Sequence, residues 1–211
     1  MVKMGIPYRM IGGMRFYERR EIKDLIAYLR VIANPYDDVS LMRIINVPKR
    51  GIGEATIDKL NNLADENNLR IFDIIKMIED TPLAAGVVNR VSKFRKLMID
   101  FIDKSETMTI SDLIRYVVDE TGYVKELTIE NSPESISRIE NLQELVGAAI
   151  EYENRSSDIR LEDFLAELAL VSDVDKLEEG EQAVVLMTLH GAKGLEFPVV
   201  FLAGMDEGIF P

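Results

Sequence analysis

REIKDLIAYLRVIANPYDD, residues 20–38, decides the fold class. Ile22, Leu25, Ile26, Leu29 and Ile32 recur at spacings of three and four, the apolar stripe of an amphipathic helix. Pro35 ends that helix. Asp37-Asp38 supply a cap for a second one, through Leu41, Ile44 and Ile45. NVPKRGIGEATIDKL (46–60) reads as a turn broken by Pro48 and two glycines, then a helix through Ile57 and Leu60. Helical patterns follow at about 70–79, 84–103, 109–120, 133–153 and 160–171, each bounded by breaking or capping residues. No β-alternation occurs between residues 20 and 175, so that stretch is expected to be nearly all helix.

The two ends of the chain read differently. IPYRMIG (6–12) is short, apolar and β-prone, and runs into Gly12-Gly13. After an acidic linker, DVDKLEEGEQ (173–182), come two continuous apolar runs, AVVLMTL (183–189) and FPVVFLAGM (197–205). Both have the length and β-branched content of strands buried on both faces of a parallel sheet. Two or three strands do not make a sheet on their own. The expected fold is therefore mostly α: a helical insertion carried on a small α/β remnant formed by the chain ends.

Composition narrows the chemistry. The 211 residues are 47% hydrophobic, enough for a real core. With no cysteine, disulfides and thiolate metal sites are excluded, and one histidine makes a zinc centre a poor fit. No apolar run reaches the ~18 residues of a membrane span, and MVKMGIPYRM lacks the apolar core of a signal peptide. A cytoplasmic protein is expected. Net charge is −12, yet residues 1–60 hold eleven Lys/Arg against seven Asp/Glu. Phosphate attraction follows local patches rather than the total. The basic first quarter reads either as a nucleic-acid surface or as a solvated mixed-charge face.

Two constellations carry possible chemistry. In PKRGIGEAT (48–56) a Gly-x-Gly turn between short helices exposes backbone N–H groups. Together with a helix N-terminus, these can hold a DNA phosphate. Lys49 and Arg50 flank the turn, Thr56 offers a hydroxyl, and Arg15, Arg19, Arg20, Lys23, Arg30 and Arg43 lie nearby in sequence. A plain helix–helix turn is the alternative. Nothing here reads bases, so binding would be sequence-independent. The second constellation is TLHGAKGLE (188–196): Thr188, Leu189, His190, Gly191, Ala192, Lys193, Gly194, Leu195 and Glu196, between the two last apolar runs. Ligands of open α/β sheets bind at such loops. Thr188 and His190 can hydrogen-bond a phosphate, and Glu196 can accept from a ribose hydroxyl. An ordinary turn with a surface histidine is the alternative here. No G-x-x-x-x-G-K-[ST] phosphate loop is present.

TLHGAKGLEFPVVFLAGMDEGIFP resembles motif V and its following strand in the UvrD/PcrA/Rep DNA helicases of superfamily one. IPYRMIGGMRFYERREIKDLIAYLRVIANPYDD and RIINVPKRGIGEATIDKL resemble signatures at the start of the same family's helical insertion, and the sequence fits the PcrA-like branch. The resemblance implies a fragment: residues 1–12 and 182–211 as part of a second RecA-like domain, and 13–181 as an all-helical, duplex-binding insertion. It implies an ATP-dependent 3′-to-5′ helicase of DNA repair and replication restart, bacterial and nucleoid-associated, with repair or replication proteins as partners. ATP and Mg2+ would serve the intact enzyme, through a phosphate loop on another domain, and this piece alone is expected to lack ATPase activity. By the same resemblance Thr188 and His190 contact single-stranded DNA and Glu196 meets the ATP ribose. Gly51, Ile52, Gly53 and Thr56 grip duplex DNA, helped by Lys23 and Arg30. Ala55 stands where some relatives carry an arginine. A helical protein-interaction module and a related nuclease–helicase subunit are the competing readings.

Overall fold

A computed structural model describes residues 8–11, 16–156, 158–174, 184–189 and 192–205, with the backbone alone at 8–11 and 171–174. The chain divides into two compact units. One comprises Phe16–Asp173, the other Met1–Arg15 with Val174–Pro211.

The first unit is helical. After a 3-10 turn at Phe16–Glu18 come α1 (Arg20–Ala33), α2 (Asp38–Ile44), α3 (Glu54–Asn67), α4 (Ile71–Lys76) and a 3-10 turn at Ile78–Asp80. Then follow α5 (Ala85–Ser105), α6 (Ile110–Thr121), α7 (Tyr123–Glu130), α8 (Pro133–Arg155) and α9 (Leu161–Val174). The sequence cues act where expected. Asp37 is the N-cap of α2, its carboxylate accepting from the Ser40 N–H at 3.0 Å. Thr109 caps α6, Gly122 ends it at φ +74°, and Ser132 with Pro133 opens α8 in a capping box. α7 is the helix that the apolar periodicity did not foretell.

α1 is the centre of this unit and packs against α2, α5, α6 and α8. Ile22, Leu25, Leu29 and Ile32 are buried as their spacing required, and Tyr28 joins them. The Tyr28 ring meets Phe101 of α5 edge-on at 6.3 Å, and Phe101 meets Tyr116 of α6 at 5.9 Å. Two acidic residues of α1 are buried as well. Glu21 accepts from Asn141 Nδ2 of α8 at 2.6 Å, and Arg19 donates to the same asparagine's Oδ1. Asp24 accepts from Arg43 of α2 at 2.7 Å and from the Tyr123 hydroxyl of α7 at 2.8 Å. Each buried carboxylate thus has its partners, as burial of a charge requires.

In the second unit, β1 (Tyr8–Ile11) and β2 (Val184–Met187) pair in parallel, with Tyr8 opposite Val184 and Ile11 opposite Met187. Strands about 175 residues apart in sequence thus lie side by side, as the α/β remnant demanded. The run 197–205 departs from expectation: its described residues form no strand. Phe201 is 90% exposed and Val199 70%. A strand needs a hydrogen-bonding neighbour, and none faces this run among the described residues.

Candidate nucleic-acid interface

The Gly51-Ile52-Gly53 turn links α2 to α3, and each of its residues has a different duty. Gly51 adopts φ +72°, the left-handed region that glycine enters without steric cost. Ile52 is fully buried in the helical core, and its N–H donates to Asn46 Oδ1 at 3.2 Å. The same oxygen takes the Arg50 N–H at 2.8 Å. Ile52 therefore anchors the turn from inside, and its N–H is not among those left open for a phosphate. Gly53 is exposed and is the N-cap of α3, with no side chain capping that helix. A Cβ built on Gly53 meets nothing within 4 Å. The opening of α3 is accordingly a bare helix N-terminus, where backbone N–H groups face outward. Glu54 stands in its first turn. Thr56 is 8% exposed, so little of its side chain reaches the surface.

The nearby basic residues separate into spent and unspent. Arg50 is spent inward: its guanidinium donates to the carbonyls of Ile44, Val47 and Pro48 at 2.8–3.2 Å and to the Tyr28 hydroxyl at 2.6 Å. It also lies over the rings of Tyr28 and Phe94. Arg19 serves Asn141, while Arg20 and Arg43 serve Asp24. Arg15 lies outside the described residues. Lys23, Arg30 and Lys49 are exposed, and none makes an ion pair among the described residues. At 100° per residue, Lys23 and Arg30 sit about 20° apart on α1, and both lie about 140–160° from Tyr28. They form one patch together, on the side of α1 turned away from the Tyr28 face that meets the turn.

In the strand unit, Thr188 follows the carboxyl end of β2, the end at which open α/β sheets bind ligands. Its carbonyl accepts from the Ala192 N–H at 3.0 Å, Leu195 N–H donates to Ala192 O at 3.0 Å, and Gly194 takes φ +84°. Thr188 and Glu196 are both exposed. An exposed carboxylate suits a ribose hydroxyl. His190 and Gly191 lie outside the described residues. Among the described residues, no three His, Asp or Glu side chains are grouped to hold a metal ion. Among the described residues, no helix is long and apolar enough to cross a membrane.

The chain belongs to the UvrD-like helicase C-terminal domain family, whose model matches residues 1–211. Among its curated relatives are the proteins named ATP-dependent DNA helicase PcrA. That of Bacillus subtilis is 41% identical over 217 residues, that of Staphylococcus epidermidis 44% over 212, and that of Staphylococcus aureus 43% over 212. Each alignment takes in 100% of this chain and 29% of the relative.

Proposed function

We propose that this chain is the DNA-gripping part of an ATP-dependent, 3′-to-5′ DNA helicase acting in repair and replication restart. The carrying observation is the bare, unobstructed start of α3 at Gly53, in a chain that matches the helicase family along its whole length. The turn takes a phosphate of the duplex on the N–H groups of that helix start, where the helix dipole also favours an anion. Lys23 and Arg30 supply a second cationic patch that holds the backbone without reading bases. The loop after β2 takes the single strand, through Thr188 and His190, and Glu196 accepts from the ATP ribose. ATP, with Mg2+, supplies the free energy of stepping when it binds the intact enzyme. Its phosphates are held by a loop of the type G-x-x-x-x-G-K-[ST], which this sequence lacks. The chain by itself is accordingly a binding module without turnover, and its partners are duplex and single-stranded DNA.

The test is fluorescence anisotropy of a hairpin with a single-stranded tail, measured across a salt series. Lys23→Ala and Arg30→Ala each weaken binding for every sequence alike and lower the log–log salt slope by about 0.9. Gly53→Val removes affinity with little change of slope, because it blocks approach without removing charge. Parent-like binding by Gly53→Val, alongside a loss in the distant control Lys125→Ala, would place the duplex site elsewhere.

A further inference from the structure

We propose that Arg90 of α5 is the cationic partner of the Gly51-Ile52-Gly53 turn, its guanidinium completing the site for a duplex backbone phosphate. This rests on the reading of the turn as a duplex grip and adds a side chain to it.

The first observation is an arginine without an occupation. Arg90 Nε is buried and has no hydrogen-bond partner. Nor does its guanidinium enter an ion pair among the described residues. The neighbouring arginines differ. Arg50 is spent on three carbonyls and Tyr28, and Arg95 of the same helix on Glu79 and the Lys76 carbonyl. Burying a guanidinium donor without an acceptor costs stability. The residue as a whole is only half-buried, and its terminal nitrogens, which also have no acceptor among the described residues, are the donors that a partner from outside would meet.

The second observation is where it lies. A Cβ added at Gly51 would stand 2.9 Å from Arg90 Cδ and 3.5 Å from Nε. One added at Gly86 would stand 3.6 Å from its terminal NH1. The side chain thus crosses the turn at a glycine and carries its head over a second glycine, so neither position screens it. The turn also needs a cation. Glu54 stands in the first turn of α3, where its charge opposes an incoming phosphate, and Arg50 points into the core. A planar guanidinium donating two parallel N–H bonds matches a phosphate better than an ammonium does.

Arg90→Met in the full chain keeps the stem and removes the charge. The melting temperature is expected to stay equal or rise, since an unpartnered buried donor has gone. The salt slope for the tailed hairpin should fall by about 0.9, with roughly tenfold weaker binding at low salt. Arg90→Lys should keep the slope and recover part of the affinity. If Arg90→Met binds with the parental slope while Gly53→Val loses affinity, the turn grips DNA without Arg90 and this proposal fails alone. A lowered melting temperature with an unchanged slope would make Arg90 a packing residue and overturn it equally. If the parent chain does not bind the hairpin, or Gly53→Val binds as well as the parent, the reading of the turn fails and Arg90 falls with it.

Discussion

Arg50 donates to the Tyr28 hydroxyl at 2.6 Å, and Tyr28 in turn donates to the Val47 carbonyl. The strongest-looking cation of the glycine turn is therefore a strut between α1 and the loop that joins α2 to α3. Arg50 also donates to the carbonyl of Ile44, the last residue of α2, and to those of Val47 and Pro48 in the loop beyond it. Arg50→Lys should lower stability by about 2–3 kcal/mol, because an ammonium cannot reach several fixed acceptors at once. Urea denaturation reads the loss. At a temperature where the variant is folded, its salt slope for DNA should match the parent's.

The two glycines of the turn should respond differently to the same substitution. Gly51→Ala forces a Cβ into φ +72° and against the Arg90 stem, at a cost of about 1–2 kcal/mol. Gly53→Ala enters open space at φ −86° and should change stability by less than about 1 kcal/mol. Equal losses at the two positions would contradict the assignment of Gly51 to the fold and Gly53 to the surface.

Alkaline pH should unfold the helical unit through its tyrosines. Burial pushes the Tyr28 hydroxyl up to about 12, with Arg50 opposing part of that rise. Burial, then the Asp24 charge, raises Tyr123 further. A folded-state pKa above the unfolded value of about 10 favours the native state below pH 10. That contribution is lost as pH climbs from 10 toward 12 and beyond. Tyrosinate absorbance at 295 nm should therefore show two tyrosines that ionise only with the loss of helical circular dichroism. Ionisation of all seven tyrosines near pH 10, with the helices intact, would refute this.

Glu54→Gln should separate stability from binding. The carboxylate lies in the first turn of α3 and favours the helix by about 0.3–1 kcal/mol. The same charge repels a phosphate at that helix start. The variant should melt slightly lower and bind the tailed hairpin more tightly. Unchanged affinity at low salt would move the phosphate away from this helix.

Residues 13–181 should fold without the strands. The apolar stripes of α1 to α8 bury one another within Phe16–Asp173. A helical circular-dichroism spectrum and a single cooperative melt are expected from that span, and a gradual melt would show dependence on the rest of the chain.

The sequence alone determined which segments become helices, because periodicity, caps and breakers act over a few residues. Ile22, Leu25, Leu29 and Ile32, the Asp37 cap and the Pro35 stop were all readable in this way. So was the parallel kinship of the two chain ends, from their short β-branched runs. α7 escaped because it is eight residues long and buries Leu127 alone, too little for a stripe. The run 197–205 was read as a strand because its composition is right, but strand formation also needs a neighbour's hydrogen bonds. Only the tertiary structure decided which charges are spent. In E-I-K-D, Glu21 and Asp24 turn inward to Asn141, Arg43 and Tyr123, and Lys23 alone faces water. Arg50 and Arg90 are equally basic in the sequence, yet one donates to three carbonyls and a hydroxyl and the other to no acceptor among the described residues. Those partners lie up to 120 residues away in the chain. Hydrogen bonding is a matter of ångströms in space, and the order of residues does not disclose it.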